Sequence, residues 1–233
     1  MTVAELAALP GMSTASGVAA ASAHARTTGQ VLPVLPELRE LLPAGGLRRG
    51  GTVAVRGSTS LLLALLAEAT ATGSWAAAVG MPNLGLVAAA ELGVEVRRLA
   101  LVPRPGAEFA PVTAVLLDGM DLVAVAPGVA LSPSIARRLS TRARHRGAAL
   151  LSLGAWPGAE LEVSCSAGEW TGPSAGHGRL RERRIEVRVA GRGAAARPRC
   201  AELVLPGPAG AGARRAPAPG LTPGGTAPAE EAG

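Results

Sequence analysis

Leu47–Thr72, LRRGGTVAVRGSTSLLLALLAEATAT, decides how the rest of the chain is read. Gly50 and Gly51 on one side and Gly57 on the other bound Thr52–Arg56, a short β-prone run. Ser58 or Thr59 can cap a helix, and Leu61, Leu62, Leu63, Leu65 and Leu66 give that helix an apolar surface almost all round. Gly73 is the expected stop. The stretch therefore predicts a turn, a buried strand, a tight Gly-Ser loop and an apolar helix.

A strand that feeds a helix through a glycine-led loop is where P-loop proteins hold phosphate. The Walker A form of that loop sets six residues between its first Gly and its Ser/Thr, with a Lys just before the hydroxyl residue. Here only Ser58 separates Gly57 from Thr59, too little chain to wrap a triphosphate with backbone N–H groups. No Lys can reach the phosphates either, because all 23 basic residues are Arg. Gly57, Ser58, Thr59 and Ser60 are thus expected to mark a degenerate P-loop position without cofactor or metal. The same strand, turn and helix also open ordinary α/β domains.

With 233 residues the chain fits one sizeable α/β domain with tails. Hydrophobic residues make up 48% but aromatics only 2%, so the core must be Ala, Leu and Val. The formal charge of +6 admits nucleic acid or acidic partners, but no basic stripe is interleaved with aromatics for base stacking. Cys165 and Cys200 lack metal-ligand spacing and are expected as buried free thiols. His24, His145 and His177 are scattered and read as solvated side chains. The Ala-rich start has no positive leader region, with Glu5 before its apolar part and Pro10-Gly11 within it. No stretch approaches a spanning helix, so a cytoplasmic location is expected, with no membrane contact.

Residues 1–30 read as a low-complexity extension with one short helix, Val3–Leu9. Residues 31–206 read as the domain. Val31–Leu35 is an extended run suited to an edge, and Glu37–Leu42 a helical turn or two. Beyond the opening helix come strands at Trp75–Val79, Arg98–Val102, Asp121–Ala126 and Ala149–Leu153. Helices are expected at Leu84–Leu92, from Pro111 to about Asp118, and at Pro133–Arg146. This alternation argues a mostly parallel sheet with helices on both faces. After Gly154 the pattern changes: Glu160–Cys165, Trp170–Gly172, Ile185–Ala190 and Cys200–Leu205 are expected as antiparallel strands added to one edge. Residues 207–233, rich in Pro, Gly and Ala, are expected to be disordered.

Taken in order, these segments resemble the RecA-like core. Leu35–Gly57 is similar to the approach and first strand of RecA, Leu84–Val94 to the helix before its third strand, and Asp121–Pro127 to its Walker B strand. GSTSLLLALL, GSWAAAVGMP, AAELGV, Trp156-Pro157-Gly158 and LRERRIEVRVAGRGAAARPR resemble more closely the actinobacterial ImuA-prime type of mutasome accessory protein. The resemblance covers about residues 31–206. It implies an α/β, RecA-like protein of damage-induced (SOS) mutagenesis and DNA repair. Such a protein would be an adaptor in translesion synthesis beside ImuB, an inactive Y-family polymerase homologue. RecA and an error-prone C-family DNA polymerase are further implied partners, and DNA a lesser one.

A RecA-type ATPase does not transfer onto these residues. Walker A lacks its Lys and its length. Where RecA carries a catalytic Glu after the second strand, this chain reads Gly80-Met81-Pro82-Asn83. The Walker B strand ends in Ala126-Pro127, and Asp121 stands at its start, the wrong end for Mg²⁺. No catalytic residue is expected and the chain is read as not an enzyme. The competing readings are a divergent DNA-dependent NTPase and a SulA-type cell-division inhibitor.

Two basic clusters remain. Arg137, Arg138, Arg142, Arg144, His145 and Arg146 on one helix read as a solvated face, favourable near a helix C-terminus, with a patch for DNA phosphates or an acidic partner as the functional alternative. Arg179, Arg181, Arg183 and Arg184, where RecA places DNA-contacting loops, are the better candidate binding surface. Val31–Leu35 is either a strand offered to a partner's sheet edge or one packed on its own core.

Overall fold

The computed structural model describes residues 30–128, 131–166, 168–171, 182–205 and 214–215. The Val3–Leu9 helix, His24, His177, Arg179 and Arg181 lie outside the described residues.

In chain order the elements are β1 (Val31–Leu32), α1 (Pro36–Arg39), β2 (Leu47–Arg48), β3 (Thr52–Arg56), α2 (Thr59–Ala71), β4 (Ala76–Val79), α3 (Leu86–Glu91) and β5 (Leu99–Val102). There follow α4 (Phe109–Gly119), β6 (Leu122–Val125), α5 (Pro133–Arg146), β7 (Ala149–Leu153), β8 (Leu161–Cys165), β9 (Glu169–Thr171), β10 (Glu182–Gly191), β11 (Arg199–Leu205) and β12 (Arg214–Arg215).

The main sheet runs β12-β11-β10-β8-β3-β7-β6-β4-β5, with β9 also on β10. The six strands from β8 to β5 are parallel. β9, β10, β11 and β12 add antiparallel pairs. Glu160–Cys165, expected as antiparallel, therefore needs correcting: β8 pairs parallel with β3, Val55 opposite Val163. Alternation reports which residues face a core but carries no direction. The tail expectation also changes in one place, since Arg214–Arg215 pairs with Leu203 and Val204 of β11. The rest of 207–233 lies outside the described residues.

α1, α2 and α3 pack on one face of the sheet, against Val53, Val55, Ala78, Leu122 and Leu151. α4 and α5 cover the other face, against Ala54, Val123, Val125 and Leu150. α2 lies deepest: Leu61, Leu62, Leu65 and Leu66 are fully buried. Each such side chain stabilises the fold by about 1.5–3 kcal/mol. Gly73 ends α2 as expected, at φ +112°. Ser74 N–H donates to Ala69 O and Gly73 N–H to Thr70 O, a Schellman closure.

β1 and β2 form a separate antiparallel pair. Leu32 and Val34 are buried in the protein's own core. Of the two readings of Val31–Leu35, packing on the chain's own core is the one observed.

Candidate functional site

The turn after β3 and the Arg-bearing strand, 125 residues apart, meet in space. β3 passes through Gly57, at φ +91°, into Ser58, the extended N-cap of α2. Ser58 makes no side-chain bond to the first turn of α2. Arg183 on β10 instead places its guanidinium 3.5 Å from Ser58 Oγ. The same guanidinium lies 5.8 Å from the Trp170 ring, in cation–π range. Its Nε is buried with no hydrogen-bond partner.

The end of β8 closes over this turn. A Cβ on Gly57 would stand 2.5 Å from Cys165 O and 3.2 Å from Cys165 Sγ. Glycine is thus required twice, for its backbone angle and for close approach. Burial pushes the Cys165 thiol up, against the opposing pull of Arg183 and a hydrogen bond with Ser58. A raised pKa keeps the thiol largely protonated near neutral pH. Arg56 leaves the turn toward Glu162 at 2.9 Å, exposed to solvent. Where a phosphate loop would open, this chain sets a backbone carbonyl, a neutral thiol and an arginine.

Of the predicted basic surface, Arg183 faces the turn, whereas Arg184 points the other way, 3.5 Å from Glu202. Neighbours on a strand alternate faces, so the two could not share a site. The expected burial of both cysteines is corrected: Cys165 is half-buried and Cys200 exposed. Cys200 sits in the leading half of β11, which is mostly exposed, while Leu203, Val204 and Leu205 are covered.

Asp121 is at the amino end of β6 and fully buried. Its carboxylate accepts from Arg49 Nη1 at 2.9 Å and from Trp75 N–H at 2.9 Å. Its own carbonyl accepts from Ala149 N–H at 2.8 Å. Asp121 thus stitches the amino edge together, its carboxylate joining the approach to β3 and the entry of β4 and its backbone carbonyl the entry of β7.

At the opposite edge lies a feature that sequence reasoning missed. β4 exits toward the α3 face while β5 and β6 exit toward the α4 and α5 face, so their carboxyl ends part. Such a switch point opens a crevice in parallel sheets. Here it is an apolar cavity of about 690 Å³, lined by Gly80, Pro103, Phe109, Pro127, Leu131 and Ile135 among others. A Cβ on Gly80 would lie 2.4 Å from Ala126 O, so the floor also needs glycine. The signal was a proline just past each of the three strand ends, Pro82, Pro103 and Pro127.

The arginines of α5 divide. Arg142 Nε donates to Asp118 Oδ1 at 2.8 Å and Arg146 Nε to the same oxygen at 3.0 Å. Arg144 pairs with Glu160 at 3.0 Å on another side. The hydrogen bond from Arg142 holds the Asp118 carboxyl below its ordinary value despite partial desolvation, and Arg146 adds to the effect.

No helix among the described residues is long and apolar enough to cross a membrane. Among them no group of His, Cys, Asp and Glu could hold a metal ion.

A family model described as the MT3502 N-terminal domain matches residues 40–158, from the end of α1 to the turn before β8. The chain is also similar to an uncharacterized protein of Mycobacterium tuberculosis, Rv3395c. The two are 38% identical over 164 residues, which is 66% of this chain and 80% of that protein.

Proposed function

Because the chain belongs to the MT3502 N-terminal domain family, we propose a function for a fold built like its matched core: a non-catalytic, RecA-like accessory protein of damage-induced mutagenesis. It serves as an adaptor for an ImuB-like Y-family polymerase homologue and an error-prone C-family polymerase in translesion synthesis. The observation that carries the non-catalytic part is the closed turn after β3, where Cys165 O would stand 2.5 Å from a Gly57 Cβ. The β8 backbone thus lies directly against the turn, in the register that sets Arg56 opposite Ser164. The carboxylate that a Walker B strand would turn toward Mg²⁺ is here spent at the other end, on Arg49. Losing the lysine, the loop and the metal ligand removes positioning and charge neutralisation together. The adaptor part rests on the ordered resemblance of residues 31–206 to ImuA-prime proteins.

The test is co-purification of the full chain with an ImuB-like protein, with ATP turnover measured on both the free chain and the complex. Stable association without turnover is expected, and no complex would refute the adaptor role.

One observation favours a divergent NTPase. Arg183 sets a cation beside the α2 N-terminus, where the missing lysine's charge would act. ATP turnover lost in Arg183→Ala would establish that reading.

A further inference from the structure

We propose that the outward stripe of α5 binds the phosphodiester backbone of nucleic acid, a surface separate from the turn after β3 and independent of the adaptor role. Arg137, Arg138, Thr141, Arg142, His145 and Arg146 line one cleft of about 580 Å³. They recur as adjacent pairs every four residues, the spacing that keeps side chains on one side of a helix. The opposite side carries Ala136, Leu139 and Ala143, which are buried and fix the rotation of α5.

Asp118 on α4 holds two of these arginines in place, Arg142 through two hydrogen bonds and Arg146 through one. A guanidinium has five donors, so both keep N–H groups for another oxygen. Arg137 and Arg138 are exposed at the head of the stripe. Four guanidinium groups against one carboxylate leave this open helix face at about +3, a positive patch on the surface. From residue 137 to residue 146 the helix rises about 13 Å. Phosphates on one strand recur about every 3.4 Å along B-form DNA, so the stripe spans about four.

The lining chemistry selects this occupant. The cleft has no large apolar side chain, so it lacks the aromatic and aliphatic anchors of a protein interface and the wedge that a membrane surface requires. Arginine forks match phosphate oxygens. With no aromatic to stack bases, binding is sequence-independent.

Fluorescence anisotropy of a labelled 20-mer, single-stranded and as its duplex, is measured with the full chain from about 50 to 200 mM salt. Binding whose log affinity falls with log salt at a slope of about −2 to −3 on the single strand is expected. Arg137→Glu/Arg138→Glu should weaken it at least tenfold and flatten the slope by about 1.4. Arg97→Glu/Arg188→Glu, the same charge change at two exposed positions off α5, should weaken it far less. If the charge-reversed double mutant melts early, Arg137→Gln/Arg138→Gln takes its place. Stronger binding to either DNA form tells which form supplies the backbone, and both support the proposal. Absence of binding, equal losses in the two double mutants, or displacement of DNA by polyglutamate at equal charge would each overturn it.

Discussion

The two edges of the parallel sheet are built from opposite materials. The amino edge is stitched by charge: Asp121 takes Arg49 and Trp75 N–H in a buried site. The carboxyl edge is shaped by glycines and prolines around an apolar cavity and a closed turn. In parallel α/β sheets the carboxyl edge is where ligand chemistry gathers, and the opposite edge serves stability. In this protein the buried carboxylate of Asp121 lies on the stability side. The contrast teaches that a parallel α/β sheet can keep its buried carboxylate at the strand starts, where it braces the fold, and leave the strand ends to glycine and proline geometry.

Breaking the amino edge should have the largest effect. Asp121→Ala strands Arg49 in a site where its side chain is 9% exposed, at a cost of about 3–5 kcal/mol. Urea unfolding measures it, and a loss below about 1 kcal/mol would erase the contrast.

The carboxyl edge comes next, through geometry rather than charge. Gly80→Ala meets both a φ of +76° and Ala126 O at 2.4 Å, and should cost about 1–3 kcal/mol. Gly106→Ala, also at positive φ but with open space around its Cβ, should cost at most about 1–2 kcal/mol. Equal losses at the two sites would mean that close packing of the cavity floor is unimportant.

The closed turn offers a kinetic reading. Cys200 should be alkylated well before Cys165 near neutral pH, because exposure favours the first and a raised pKa leaves the second protonated. Mass spectrometry after timed iodoacetamide treatment gives the order, and the reverse order would mean that the turn is open.

The smallest effect is a surface one. The Asp118 carboxyl is held low, chiefly by Arg142. Its contribution is therefore present above the unfolded-state value and lost as pH falls through the folded one. The groups are partly exposed, so about 1 kcal/mol or less is at stake. Asp118→Asn should remove that part of the acid-side slope in urea midpoints, and an unchanged slope would deny the pairing a role.

Local elements were legible where the punctuation is local. Thr52–Arg56, Pro133–Arg146 and Ala149–Leu153 are observed with the bounds read from sequence, because glycines and Pro133 mark their ends. Ser132 Oγ accepts from Ile135 N–H as a helix cap. What escaped is set by distant partners. The direction of β8 depends on β3, about a hundred residues away. Arg183 finds Ser58, and Asp121 finds Arg49, through the sheet order alone. The cavity belongs to no single segment, since three strand ends and two helix starts enclose it.

The central place of β3 has a consequence for biosynthesis. On the ribosome, β3 and its leucine-rich companion emerge well before β7 and β8, which flank β3 and arrive about a hundred residues later. At about 5–20 residues per second, that greasy pair waits on the order of ten seconds for its neighbours. Until then the apolar face of α2 has no sheet to cover it, so the yield of folded chain should depend on translation speed across the second half of the message.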